Sequence, residues 1–448
     1  MIGKTLNGII AEGAVVRGLI VAARAGGFDP NRWNRFERIA PEERERRTMQ
    51  RIRRLVGNAV SRSSHHRSRL GIGPSDVGDL RTFDDFRRLP FLAKSELRRG
   101  GPEVLALMQP RLARTATTSG STGVPVCVVH DLSYWSASIA RRSMLFARHG
   151  VRFGSREARF WGRDDTERRS VQDVVGNRRF FGIGTGTDEA LSSSLERLRG
   201  FVPDYAYGYP SVLLRFAEHA RREGGALPAV GAVIRTAEGV TPEQERVLRE
   251  TFDAPLVNEY GCSEVEIIAF DCEDGACHVD TDHIHLEVVE SETGALEAVV
   301  TDLDNATMPI LRYRLGDDIR LSEGKCTCGR TSPVIASVEG RSADRLLQMP
   351  DGSRRHSVVF SRIFARLDIE GFGVTRFRVV QTAPERLEIF VEGLRGDFDA
   401  FDRRLREAVE EEVSADFEVR VQRGPLPTNA GGKHRYFVPL ESNHQEMP

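Results

Sequence analysis

The chain has 448 residues, more than one ordinary hydrophobic core holds, so two or three domains are expected. Its 64 basic and 65 acidic side chains nearly cancel, which leaves no global field to draw in nucleic acid. Six cysteines in so long a chain do not make a secreted disulfide framework.

The first apolar stretch, Gly8 to Ala23, carries Glu12 and Arg17. It is too short and too charged to span a bilayer and lacks a small-residue cleavage site, so a packing helix, a cytoplasmic location and no membrane partner are expected. Residues 32 to 100 look helical. Within them Arg51, Arg53 and Arg54 flank Ile52, Leu55 and Val56. That is the solvated face of an amphipathic helix rather than a nucleic-acid patch.

Residues Thr117 to Pro125 read Thr-Thr-Ser-Gly-Ser-Thr-Gly-Val-Pro. Five hydroxyls and two glycines offer little to a core and many donors to a polyphosphate. The β-branched run Val124 to Val129 predicts a strand after this loop, where a flexible linker would not sit. The loop is not the Gly-Lys-Ser/Thr cradle, because position 126 is valine. Its positive charge must come from elsewhere. The chain holds only four lysines, Lys4, Lys94, Lys325 and Lys433, and the last follows Gly431-Gly432. A compact ammonium is not replaced by arginine.

From about 131 to 270, helical stretches (Asp188 to Leu198, Pro210 to Arg222, Pro242 to Thr251) alternate with short apolar strands such as Ala232 to Ile234 and Pro255 to Val257. The alternation predicts α/β layers. Residues 278 to 335 are strand-rich. After Gly340, strands at Val374 to Gln381, Arg386 to Val391 and Val419 to Gln422, with a helix at Phe398 to Val413, predict a small α+β domain. The expected fold is therefore α/β: a large N-terminal domain with a β-rich part over residues 1–339, and a small, mobile C-terminal domain over 340–448.

Four polar clusters accompany the loop: Thr236-Ala237-Glu238, Asn258 to Glu264, Tyr313 to Asp317, and Gly340 to Asp344. Two follow predicted strands, at the carboxyl ends where open α/β sheets bind ligands. In this order the clusters resemble the adenylate-forming enzymes. Leu89-Pro90 with Lys94, Tyr207-Gly208-Tyr209-Pro210-Ser211 and Cys326-Thr327-Cys328-Gly329-Arg330 resemble the phenylacetate–CoA ligase and CapK-like branch.

That resemblance implies ATP-dependent activation of a small, aromatic carboxylic acid as an acyl-adenylate, then transfer to CoA or a carrier-protein thiol. Alternatives are transfer to an amine or hydroxyl without CoA, as in a CapK-like enzyme, and a non-catalytic nucleotide-binding relative. Thr118, Ser119, Gly120, Ser121, Thr122 and Gly123 would cradle phosphates. Tyr260 would pack on adenine, with Ala237 and Glu238 at its edge, and Ser263 would bond the α-phosphate. Glu264 would hold Mg²⁺, a cation that prefers oxygen ligands. Asp317 would accept the ribose hydroxyls, Arg341 would lie beside ribose or phosphate, and Lys433 would approach the carboxylate and α-phosphate. Trp135, Trp161, Tyr207 and Tyr209 are candidates for the acid pocket, or for core. Relatives are commonly homodimers, so a homodimer is a further expectation.

Cys272, His278, Cys326 and Cys328 supply the ligand set of a closed structural zinc site, with Cys277 as a competing ligand and reduced side chains on loops as the plain alternative. Cys127 and Cys262 read as small buried residues. One departure stands out. Ala343 precedes Asp344 where many relatives carry acids at both positions, and the first of these is tied to hinge rotation, which leaves the thiol-transfer step open.

Overall fold

The computed structural model describes residues 37–108, 113–117, 126–161, 173–174, 176–182, 188–224, 226–291, 296–341, 346–351, 354–424, 426 and 436–440. The arginine-rich stretch is helix α1 (Pro41–Arg62), which buries Met49, Ile52, Leu55, Val56, Ala59 and Val60. Arg53 and Arg54 face solvent. The periodicity expected of an amphipathic helix is thus the one that folds. Helix α2 (Lys94–Leu105) follows, its start closed by Glu96, whose carboxylate accepts from the Ala93 N–H at 2.8 Å.

Strands β1 (Ala113–Thr117) and β2 (Cys127–Asp131) pair antiparallel as the two arms of a hairpin. Sequence patterning placed the second strand three residues early and missed the first, because Ala-Arg-Thr-Ala-Thr shows no apolar alternation. Helix α3 (Leu132–Ala147) starts at once, with Asp131 accepting from the Tyr134 N–H at 2.7 Å.

The central sheet has eleven strands among the described residues, in the order β10-β11-β12-β13-β9-β8-β7-β6-β5-β3-β4. One half is parallel: β3 (Glu157–Phe160), β4 (Arg178–Phe181), β5 (Tyr205–Gly208), β6 (Val233–Thr236) and β7 (Leu256–Cys262). Helices cover both of its faces, as parallel sheets require. Leu145 and Phe146 of α3 pack on Tyr205, Tyr207, Ile234 and Val257. The opposite face meets α4 (Asp188–Phe201), α5 (Pro210–Arg222) and α6 (Pro242–Phe252) through Leu195, Leu213 and Leu248. Gly208 is obligatory there, since a Cβ would stand 2.1 Å from the Phe160 carbonyl oxygen.

The other half is antiparallel: β8 (Glu266–Asp271), β9 (Cys277–Val279), β10 (Ile284–Glu290), β11 (Leu296–Asp302), β12 (Tyr313–Leu321) and β13 (Val334–Arg341). Val126, Val128, Ile268, Val300 and Ile310 form its core. A two-stranded ribbon of β14 (Leu346–Gln348) and β15 (Arg354–His356) comes next. The C-terminal unit has helices α7 (Val358–Leu367) and α8 (Phe398–Glu412) on a four-stranded sheet ordered β18-β17-β16-β19. Those strands are β16 (Arg376–Ala383), β17 (Arg386–Glu392), β18 (Glu418–Arg423) and β19 (Phe437–Val438). Its own core includes Phe360, Phe364, Val379, Ile389, Phe401 and Leu405. No helix among the described residues is long and apolar enough to cross a membrane.

Candidate functional site

The carboxyl end of β6 turns into Thr236-Ala237-Glu238, and Ala237 stands in the left-handed region at φ 66°. A non-glycine residue there is uncommon and marks a position fixed by its surroundings. Glu238 is drawn back to the helix layer. One carboxylate oxygen accepts from the Ser211 N–H at 2.9 Å and the other from its hydroxyl at 3.0 Å. Both contacts sit at the start of α5, where an anion meets the positive end of the helix.

At the next strand, β7 and β8 are joined by the tight turn Ser263-Glu264-Val265. Gly261 permits it, because a Cβ would lie 2.3 Å from the Glu266 carbonyl oxygen. Ser263 is exposed at the tip, whereas Glu264 is buried, with 2% of its surface exposed. Tyr313 Oη donates to Glu264 Oε1 at 3.0 Å. Glu264 Oε2 is buried and meets no hydrogen-bond donor among the described residues. A buried carboxylate oxygen without a donor is costly unless a cation or water completes it, so the residue fits a hard divalent ion.

The reverse contact links the same two segments. Tyr260 Oη donates to Asp317 Oδ2 at 2.9 Å. Each motif therefore holds the other's carboxylate by a tyrosine hydroxyl, although 57 residues separate Tyr260 from Asp317. Cys262 lies between. Burial pushes its thiol well above the ordinary value, and the negative charges of Glu264 and Asp317 add to the shift. Cys262, like Cys127, is half-buried rather than fully buried as expected, and its strongly protonated thiol is a poor nucleophile. Arg341, through its main chain, is the register partner of Asp317 across β12 and β13.

Two histidines hold the turn from beneath, and neither was legible as a site residue. His130 Nε2 lies 3.3 Å from the Glu264 carbonyl oxygen, and burial holds that imidazole below its usual pKa. His283 Nε2 lies 2.7 Å from the Val265 carbonyl oxygen, while its Nδ1 lies 3.1 Å from Asp304 Oδ2. Both of its ring nitrogens face acceptors, so both carry protons. Burial and Arg141 push the His283 pKa down, but Asp302 and Asp304 outweigh them and raise it.

Cys272, His278, Cys326 and Cys328 come together, with all four ligand atoms within 4.8 Å of one another. Cys272 Sγ and Cys326 Sγ are 3.7 Å apart, against about 3.8 Å for two ~2.3 Å zinc–sulfur bonds at a tetrahedral angle. His278 offers Nε2, 3.3 Å from Cys328 Sγ, while its Nδ1 is turned to the Ser332 hydroxyl and carbonyl at 3.1 and 3.2 Å. This tautomer-fixing contact is the usual companion of a metal-bound imidazole. Burial pushes the Cys272 thiol up to about 12. Burial also acts on Cys328, but the Arg330 N–H and guanidinium outweigh it and hold that thiol below its ordinary value. Cys277 is separate: its sulfur lies 3.5 Å from Asn258 Nδ2.

Of the acid-pocket candidates, Trp161 stacks on Tyr209 at 3.9 Å and on Tyr207 at 6.0 Å between ring centroids. Trp135 stands apart, under the Arg114 guanidinium at 5.3 Å. The expected phosphate loop, Thr118 to Gly123, and Lys433 lie outside the described residues.

No protein-family model matches the chain. It is 28% identical over 329 residues to a phenylacetate-coenzyme A ligase of Thermus thermophilus, spanning 66% of this chain and 70% of that protein. It is 22% identical over 303 residues to protein CapK of Staphylococcus aureus, spanning 66% and 67%. Its fold overlays on the crystal structure of 2-hydroxyisobutyryl-CoA ligase in the postadenylation state with R3-HIB-AMP. The TM-score is 0.72 over 90% of each chain, at 18% identity.

Proposed function

Because the chain belongs to the adenylate-forming enzymes, in the branch of phenylacetate–CoA ligase and CapK, we propose that it joins a small carboxylic acid to CoA through an acyl-adenylate. An acid carboxylate attacks the α-phosphorus of ATP and pyrophosphate leaves. The CoA thiolate then attacks the acyl carbon and AMP leaves. The observation that carries this reading is the reciprocal pairing of Tyr260 with Asp317 and Tyr313 with Glu264, which builds one anionic wall from two distant motifs.

In this reading Tyr260 packs on adenine, beside the main chain of Ala237 and Glu238. Asp317, aligned by the Tyr260 hydroxyl, accepts from the ribose hydroxyls, and Arg341 lies beside ribose or phosphate. The Ser263 hydroxyl donates to the α-phosphate. The Thr118 to Gly123 loop supplies N–H and O–H donors to the departing pyrophosphate, as charge spread over phosphoryl oxygens requires. Glu264 presents its Oε2 to Mg²⁺, which when bound neutralises phosphate charge. Lys433, carried on residues 340–448, brings an ammonium to the acid carboxylate and α-phosphate, orienting two anions that otherwise repel. Cys272, His278, Cys326 and Cys328 hold a structural zinc that ties β9 to the turn before β13.

The test is to incubate the purified chain with ATP, Mg²⁺, CoA and a panel of carboxylic acids, and to look for acyl-CoA and AMP by mass spectrometry. A thioester dependent on all four components supports the reading. Acid-dependent AMP or pyrophosphate without any thioester moves it to the CapK-like alternative, in which an amine or hydroxyl takes the acyl group and AMP leaves, or takes the adenylyl group and only pyrophosphate is released.

A further inference from the structure

The turn Ser263-Glu264-Val265 joins β7 to β8 in a conformation that its own residues do not favour. Cys262 pairs with Glu266 across it, so it is a three-residue hairpin loop, and Glu266 closes it in the left-handed region at φ 61°. Glycine is the ordinary occupant of such a position. A glutamate stays there only where the surroundings hold the backbone.

The surroundings do so at two successive carbonyls. His130, on β2, brings Nε2 to 3.3 Å from the Glu264 carbonyl oxygen. His283, just before β10, brings Nε2 to 2.7 Å from the Val265 carbonyl oxygen. A trans peptide sends its N–H opposite to its carbonyl. On that other side the N–H groups of Glu264 and Val265 both donate to the Cys262 sulfur. The peptide planes before and after Glu264 are therefore pinned, and with them the direction in which its side chain leaves the backbone.

Neither histidine is loosely placed. The His130 ring stacks on Tyr134 of α3 at 4.2 Å between centroids, and both rings are buried. His283 is buried completely, and its Nδ1 reaches Asp304 Oδ2 at 3.1 Å. Asp304 is itself held by Arg51 of α1 and Arg141 of α3. An imidazole tied down at Nδ1 presents Nε2 in one direction only, here to the main chain of the turn that carries Glu264. Packing alone does not require two rings, from elements far apart in the sequence, to aim at consecutive carbonyls of one turn.

We propose that His130 and His283 are positioning residues for adenylate formation, holding the turn in the conformation that presents the Glu264 carboxylate to Mg²⁺ and the Ser263 hydroxyl to the α-phosphate. The proposal rests on the acid-activating function set out above and adds two residues that act through the turn. Losing one hydrogen bond of this kind costs a factor on the order of 3 to 10.

The experiment uses the full chain. Wild type is compared with His283→Leu, which removes both ring nitrogens, and with His283→Gln, whose amide keeps an N–H for the Val265 carbonyl. His130→Phe removes Nε2 and keeps a ring to stack on Tyr134. Leu248→Ala, in the helix layer on the opposite face of the sheet, destabilises the core without touching the turn. Two curves are recorded against Mg²⁺ concentration: the rise in melting temperature given by ATP, and acid-dependent pyrophosphate exchange. In His283→Leu and His130→Phe both curves are expected to move to higher Mg²⁺ by on the order of 3- to 10-fold. His283→Gln is expected to lie closer to wild type, and Leu248→Ala on the wild-type curves although it melts earlier. If His283→Leu does not fold, His130→Phe decides by itself. Histidine variants whose curves coincide with wild type, or a shift in Leu248→Ala as large as theirs, overturn the assignment and leave the ligase reading intact. A wild type with neither Mg²⁺-dependent stabilisation by ATP nor exchange with any acid sinks the ligase reading, and the assignment with it.

Discussion

Tyr313 is the residue that most repays a test, because its hydroxyl aims a carboxylate without being positioned to react itself. Tyr313 is buried, and its Oη fixes Glu264 Oε1 at 3.0 Å while Glu264 Oε2 stays available. In Tyr313→Phe the carboxylate loses its guide but keeps its charge. A hydrogen bond to a charged group contributes about 1.5–3 kcal/mol. The expected result is a Mg²⁺ requirement shifted upward by roughly tenfold or more, with the fold preserved, read from Mg²⁺ titrations of pyrophosphate release. A titration curve that overlays the wild type removes Tyr313 from the site. At this scale the sequence was informative but incomplete. Tyr260, Glu264 and Asp317 stand out because polar residues directly after buried strands have little structural reason to be there. Tyr313 sits in the same segment as Asp317 yet reads as core, and His130 and His283 read as isolated histidines. Their partners lie 134 and 18 residues away, on main-chain carbonyls that no side-chain pattern announces.

Among elements, the Cys/His knot has the clearest mechanical role. It joins the turn between β8 and β9 to the loop before β13, while Arg330 within that loop binds Glu273 at 2.6 Å and Glu37 at 2.7 Å. Purified chain is expected to contain one zinc per molecule by elemental analysis. Cys328→Ser is expected to lose that metal and to melt at lower temperature than the wild type, since binding to the folded state alone stabilises it. Stoichiometry near zero in protein prepared without chelator would leave four reduced side chains and no metal. Element legibility followed hydrophobic pattern. The helix expected at Phe398 to Val413 forms over Phe398–Glu412, and β6 and β7 appear where their β-branched residues predict them. Strand β3, Glu-Ala-Arg-Phe, was not legible, because charged residues argue for surface until Arg159 and Arg178 are seen to neutralise Glu157. Helix α7, although amphipathic, was missed in a segment read only as the start of a new domain.

In the whole molecule, the C-terminal unit rests on α5 and α6 through a small set of charged contacts. Arg376 lies between Glu218 at 3.1 Å and Glu392 at 2.7 Å, and Arg215 reaches Glu392 at 3.3 Å. Arg395 pairs with Glu243, and Gln244 Nε2 donates to the Thr375 carbonyl at 2.7 Å. Gln244 also caps its own helix through Thr241, so one side chain serves helix and interface together. Removing one member of a buried ion cluster costs about 3–5 kcal/mol, because the remaining charges are left facing each other. Arg376→Gln is therefore expected to loosen the docked arrangement, seen as a lower melting temperature and faster proteolysis between the two units. The pH dependence has a definite sign. Burial raises the Glu218 pKa, so the folded state takes up that proton more readily than the unfolded chain. Stability linked to it is present below the ordinary carboxylate value and is lost as pH rises through the raised one. The deficit of Arg376→Gln should then shrink as pH falls from 7 toward 5. A deficit that is constant or grows on acidification contradicts the burial of Glu218 against Arg376.

In the proposed reaction an anionic wall of Glu264 and Asp317 is completed by a cation from the distant C-terminal segment. Acid-dependent exchange of labelled pyrophosphate into ATP, compared between wild type and Lys433→Ala with nucleotide binding measured alongside, tests it most directly. Exchange is expected in the wild type only when an acid is present. A fall of roughly 10²–10³-fold is expected in the variant, with ATP affinity retained. Exchange at the wild-type rate in Lys433→Ala would contradict a role for this ammonium in adenylate formation.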